Sequence, residues 1–383
     1  MALKGIIDYI KEYGEFDFNS LRYNDVDGLI LSQFSYLKFD NMVSEAEANG
    51  PDVTLAELSK REDINQLFSD ERYARNNRRL FKAMAASKRF GDMRLNHYIS
   101  LHDDDGAMQF SAITCVTNDD IIRIAFRGTD ETMIGWKEDF NMSFEETIPS
   151  QHKALEYLNY IAQNLQGTMS LCGHSKGGNI AVYATVMCSP KVYERIYRVN
   201  NYDGPGFTAE FIENADARRL EEKVHKLVPH SSIIGMLFQN SEDYEVVTSK
   251  KFGILQHDPF NWIVTGDDFD RLKDLPAYIK IKNASINEWA ENMDRNDQCM
   301  QFVNILFDVI TTAQISDMND FKLRDILTVS KNFLDAIEEM DDENKELMKK
   351  LFRDLIEAFI SQVKTQSGIS ILNEWDRISK RNT

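Results

Sequence analysis

The chain has 383 residues, 43% hydrophobic and 11% aromatic, which suffices for a packed core and excludes a mostly disordered chain. A formal net charge of −18 excludes a general nucleic-acid binder, which needs a basic surface, and simple electrostatic docking onto anionic lipid. The four cysteines (Cys115, Cys172, Cys188 and Cys299) form no C-x-x-C pair, and no apolar run reaches membrane-spanning length, so the expectation is a cytoplasmic protein with core thiols and no integral membrane segment.

Residues 1–90 read as a helical segment packed on the core. LILSQFSYLKF (29–39) carries an apolar helical face, Thr54 suits the cap of a helix TLAEL, and 71–87 continue as an amphipathic helix. After Gly91 the character changes, and 91–284 read as the core domain. Three stretches rich in Ile, Val, Tyr, Phe and Thr, 93–103, 108–119 and 120–130, predict strands. Then come a helix over 153–165, a short buried strand over 168–173, a helix over 179–188 and a strand over 195–204. Strand and helix alternate, which predicts an α/β fold with a mainly parallel sheet flanked by helices. Two further strands are expected at 223–229 and 243–249. From 285 to 383 the pattern is a helical C-terminal extension. One of its stripes runs through Leu323, Phe333, Leu334 and Ile337, another through Met348, Phe352 and Phe359, and a homodimer through these helices is one reading of them.

Gly173-His174-Ser175-Lys176-Gly177 fits G-x-S-x-G. The pentapeptide alone is weak, with roughly 0.1 chance matches expected in a chain this long. A strand predicted before it and a helix after it make it a nucleophile elbow, whose tight turn needs small residues two before and two after the serine. Gly178 gives further room between helix and sheet. The helix N-terminus favours negative charge there, and the Lys176 backbone N–H is a candidate oxyanion donor. His174 adjoins the serine but points elsewhere, so it packs beside the elbow rather than serving as the base.

AFRGT (125–129), Trp136 and Asp139, then GHSKGGNIAVYA, DGPGF (203–207) and ILQHDPF (254–260) together resemble the class 3 lipase family of α/β-hydrolases, and more closely a bacterial branch of lipase-like proteins. The resemblance covers most of 20–310. It implies an α/β-hydrolase fold and a serine hydrolase, and it gives Thr129 a part in the oxyanion hole. In that fold the order is serine, acid, histidine. Only His225, His230 and His257 follow Ser175. His257 matches the family segment and is the expected base, with His230 the runner-up. For the acid, the family's usual place ahead of a VP segment holds no carboxylate in Lys226-Leu227-Val228-Pro229. Asp203, in a rigid turn before Gly204, Pro205 and Gly206, is the expected acid, and a later group is the alternative. Asp258 lies too close to His257 along the chain.

These readings predict an acyl-enzyme on Ser175 and a small acyl ester, thioester or lipid-like substrate. No metal-site spacing or dinucleotide fingerprint occurs, so no cofactor or metal is expected. An acyltransferase or peptidase on the same elbow, or a catalytically silent binding module, are the alternatives. The segment 131–150, with Met133, Ile134, Trp136, Met142, Phe144 and Ile148, suits a lid or acyl-chain wall.

Overall fold

The computed structural model describes residues 3–46, 50–69, 74–103, 108–129, 138, 142, 147–230, 232, 234–236, 243–251, 256–273, 305, 325–338, 340, 345, 346, 348–350, 352 and 353. By its contacts the chain divides into two units, 1–130 with 145–288, and 131–144 with 289–383.

The first unit begins with α1 (Ile6–Tyr13) and α2 (Asp25–Phe34). α2 is buried on every side, because Val26, Leu29, Ile30, Leu31 and Phe34 surround it with apolar contacts. It ends at Phe34 rather than running to residue 39. The two-residue strand β1 (Val53–Thr54) leads into α3 (Leu55–Leu58), where the Thr54 hydroxyl accepts from the Glu57 N–H and Glu57 accepts from the Thr54 N–H. α4 (Ala74–Ala86) completes the segment. The strands β2 (Arg94–Asp103), β3 (Met108–Val116) and β4 (Ile122–Phe126) follow, then α5 (Pro149–Asn164), β5 (Met169–His174), α6 (Lys176–Met187), α7 (Pro190–Arg195) and β6 (Ile196–Tyr202). Beyond these lie α8 (Ala209–Asn214), α9 (Ala217–Lys223), β7 (Val224–Pro229), β8 (Tyr244–Val247), and the short strands β9 (Val264–Thr265), β10 (Asp268–Phe269) and β11 (Arg271–Leu272).

Among the described residues nine strands form one sheet in the order β1-β2-β3-β4-β5-β6-β7-β8-β11. The five from β4 to β8 run parallel, and the pairs β1-β2, β2-β3, β3-β4 and β8-β11 are antiparallel. β9 and β10 form a separate ribbon. This is an α/β-hydrolase-like mixed sheet with helices on both faces.

The order has a physical consequence. Every crossover from β4 to β7 steps the same way, and right-handed crossovers stepping one way leave their helices on one face. That face holds Ile122, Ile124, Phe126, Met169, Leu171 and Val199 under α5 and α6. The other face, carrying Ile113, Ala125, Cys172, Tyr202 and Leu227, needs a separate cover. The N-terminal helices supply it, with Ile10, Leu29, Leu31, Phe34, Leu80 and Phe81 in the same cluster. A buried ion pair locks this layer: Arg89 Nε donates to Asp27 Oδ1 at 2.7 Å, and Tyr9 Oη donates to the same oxygen at 3.1 Å. Cys115, Cys172 and Cys188 are buried free thiols, with burial pushing Cys172 and Cys188 up to about 11. Cys299 lies outside the described residues.

In the second unit, α10 (Asp325–Ala336) buries Val329, Phe333 and Leu334, and the Phe333 ring stacks on Phe352 at 4.2 Å. One residue from each expected stripe thus meets the other, while Leu323 and Phe359 lie outside the described residues. So do Met133, Ile134, Trp136, Asp139 and Phe144 of the expected lid. Met142 is buried, and Ile148 opens α5, its N–H donating to the Gln151 side chain at 3.0 Å. Among the described residues no helix is long and apolar enough to cross a membrane.

Candidate active site

The carboxyl ends of five adjacent parallel strands supply the site. In register, Phe126 of β4 lies beside Gly173, His174 beside Tyr202, Tyr202 beside Leu227, and Pro229 beside Val247. Residues just past these ends therefore share one edge, where ligands of parallel α/β sheets bind. Backbone bonds continue past the strands: Ser175 N–H donates to Tyr202 O at 2.9 Å, Asp203 N–H to Leu227 O at 2.8 Å, and His230 N–H to Val247 O at 3.0 Å.

Ser175 stands between β5 and α6 with φ 59° and ψ −133°, a left-handed conformation costly for any residue but glycine. The surrounding turn imposes it. A Cβ on Gly173 would overlap the Gly177 backbone, and a Cβ on Gly177 would overlap Phe126 O and lie 3.0 Å from Gly128 N. A Cβ on Gly178 would overlap the Asn201 side chain on β6. The small residues read from the motif are those that let helix, turn and sheet close around the serine. As the first residue of α6, Lys176 has an N–H that the helix itself does not bond, at the positive end of the helix dipole.

The Lys176 side chain, to which the sequence assigns no task, is buried, and its Nζ donates to Gln109 O on β3 at 2.7 Å. Thr129 follows the end of β4 and is buried at this edge. Its neighbour Gly128 lies so near the elbow that a Cβ there would come within 3.2 Å of Ser175 Cβ.

Asp203 and His257 are brought together. His257 Nδ1 and Asp203 Oδ2 are 2.7 Å apart. Asp203 is itself left-handed, with φ 53°, directly past β6. Its second oxygen accepts from the Ser232 hydroxyl and, at 3.2 Å, from the Gly235 N–H. Three donors thus converge on one carboxylate whose side chain is 1% exposed, while that of His257 is 16% exposed. Donation from Nδ1–H to the carboxylate leaves the His257 Nε2 lone pair as a proton acceptor. Ser232 carries no sequence signal, since a serine in a turn after a strand is commonplace.

The other candidates go elsewhere. His230 Nε2 accepts from the Gln256 side chain at 2.9 Å, so it braces the residue before His257, and burial lowers its pKa. Asp258 accepts from the Phe260 N–H at 2.9 Å and caps the turn Pro259–Asn261. His174 reaches His257: its Nε2 lies 2.7 Å from the His257 carbonyl oxygen, and the two rings stand 4.4 Å apart. Asn179, one turn into α6, bonds the carbonyls of Pro205 and Gly206 at 3.2 and 2.8 Å and so fixes the turn that carries Asp203. Asn201 Oδ1 accepts from the Gly204 N–H at 3.0 Å on the inner side of the same turn. Among the described residues no cluster of His, Cys, Asp and Glu suits a metal ion.

A search of curated proteins finds no match. The crystal structure of M37 lipase superposes with a TM-score of 0.33 and 15% identity over 56% of this chain and 69% of that one, too slight a likeness to argue from. A family model described as Mbeg1-like matches residues 84–308, which is more than half of the chain and contains Thr129, Ser175, Asp203 and His257, while residues 20–83 of the expected resemblance fall outside it. The chain belongs to the Mbeg1-like family, a lipase-like family of α/β-hydrolases.

Proposed function

We propose that the protein is a serine hydrolase that cleaves a carboxylic ester or thioester, lipid-like in character, through an acyl-enzyme on Ser175. The observation that carries the reading is the 2.7 Å bond between His257 and Asp203 at the strand edge where Ser175 is held at φ 59°. A carboxylate fixed by three donors, a histidine with its outer nitrogen open to accept a proton, and a strained serine at a helix N-terminus are the parts that acyl transfer needs.

In this mechanism His257 takes the Ser175 proton as the hydroxyl attacks the acyl carbon. Asp203 stabilises the imidazolium. The Lys176 N–H and the Thr129 backbone and hydroxyl hold the oxyanion, each such donor being worth about 3–4 kcal/mol. His257 then protonates the leaving alcohol or thiol, and water, activated by the same histidine, releases the acid and restores Ser175. The test is reaction with a fluorophosphonate followed by mass spectrometry, alongside p-nitrophenyl esters and acyl thioesters of graded chain length. Labelling of Ser175 that is lost in His257→Ala supports the reading. A folded protein whose Ser175 stays unlabelled and which turns over none of these esters refutes it.

A further inference from the structure

His257 belongs to no strand or α-helix, so its place depends on bonds made by side chains around its loop. On one flank the fully buried Gln256 donates to Lys251 O at 2.7 Å, and the Trp262 indole donates to Gln256 O at 2.9 Å. At His257 itself, its own carbonyl is bonded by His174 Nε2 at 2.7 Å. A carbonyl oxygen only accepts, so His174 Nε2 carries the proton. In the neutral ring Nδ1 is then the acceptor, and the Tyr36 hydroxyl lies 3.4 Å from it, oriented to donate. Tyr36 belongs to the turn after α2. It is buried, and its hydroxyl presses on Gly128, where any Cβ would overlap both it and the His174 carbonyl oxygen. One hydroxyl thus touches the turn leading to Thr129 and the ring that holds His257.

We propose that Tyr36 and His174 are positioning residues of the site. His174, with its Nδ1 side against the Tyr36 hydroxyl, fixes the His257 backbone so that the imidazole meets both Asp203 and Ser175. The inference rests on the hydrolase reading and extends it beyond the matched segment. Tyr36 precedes residue 84, so the N-terminal helices build the site as well as covering the sheet. Neither residue touches a reacting atom in this scheme.

The rate of Ser175 labelling by a fluorophosphonate, on the full chain, is the readout, because it follows nucleophile activation without needing the natural substrate. His257→Ala should remove labelling. His174→Leu should slow it about a hundredfold, the usual effect of displacing a catalytic group by about an ångström. His174→Gln, whose amide can still donate to the His257 carbonyl, should recover to within about tenfold of wild type. Tyr36→Phe should slow labelling several-fold, and Tyr36→Phe combined with His174→Leu should be no slower than His174→Leu alone, since the pair acts in series. Independent structural losses would add instead. His174→Leu or Tyr36→Phe labelling at the wild-type rate, with His257→Ala unlabelled, overturns the positioning role and leaves the hydrolase reading intact. A labelled His257→Ala overturns the hydrolase reading itself. Should His174→Leu not fold, His174→Gln and Tyr36→Phe decide the matter.

Discussion

Asp203→Asn separates chemistry from folding at this site. Asparagine tolerates the left-handed backbone that Asp203 adopts at φ 53°, so the turn needs no repair. Asp203 Oδ1 accepts from the Ser232 hydroxyl and the Gly235 N–H, and an asparagine keeps its carbonyl oxygen there to satisfy those two donors. Its NH2 must then face His257 Nδ1, 2.7 Å away in the parent. Two donors cannot share that bond, so the imidazole shifts its proton to Nε2 and loses the lone pair that the proposed mechanism uses to receive the Ser175 proton. The expected loss is about 10⁴-fold in kcat with little change in KM, equivalent to about 5 kcal/mol of barrier. The assay is kcat on a p-nitrophenyl ester, with ¹⁵N NMR of His257 reporting the tautomer. A variant within tenfold of wild type, or one that keeps the proton on Nδ1, would falsify the assignment of Asp203.

Three other outcomes are expected. Gly177→Ala places a methyl on backbone atoms of Phe126, Arg127 and Gly128, which cannot swing aside as a side chain would, and overpacking of about 1–3 kcal/mol should lower Tm by roughly 2–10 °C in a thermal melt; an unchanged Tm contradicts the elbow packing. Asp27→Asn leaves the buried Arg89 guanidinium without its anion and should cost about 3–5 kcal/mol in urea unfolding. Burial lowers the folded-state pKa of His225 and His230 below the ordinary 6.5. Above that pH both are neutral in either state and cost nothing. As pH falls below about 6.5 the unfolded chain takes up protons that the folded chain refuses, so stability declines. Tm followed from pH 7 to 5 should fall less steeply in the His225→Gln/His230→Gln double variant, and parallel curves would count against this.

Much of the core was legible along the chain because its signals are local. β-branched and aromatic runs mark the strands of the sheet, and the Thr54 cap places α3 directly after it. The elbow was legible for the same reason: a strand, a tight glycine turn and a helix are neighbours in sequence. Less local features were read less well. α2 was drawn as a helix with one apolar face and is buried on all sides, because a sheet whose crossovers all step one way needs a cover that no single helix pattern announces. The lysine after Ser175 carried no visible task until β3 brought Gln109 O within 2.7 Å of its Nζ.

The sequence by itself determined the order of strands and helices, the strained serine turn, and the few histidines and aspartates able to serve it. These depend on periodicity, on residue size at adjacent positions, and on side-chain chemistry. The tertiary structure alone decided which of them meet. Asp203 and His257 are 54 positions apart, Ser232 lies in a turn without a motif, and Tyr36 is 138 positions from His174. The bonds among them exist because β4 to β8 align their carboxyl ends and the N-terminal helices close over the uncovered face. Pairings across such distances are fixed by sheet order and packing, which no local stretch of chain encodes.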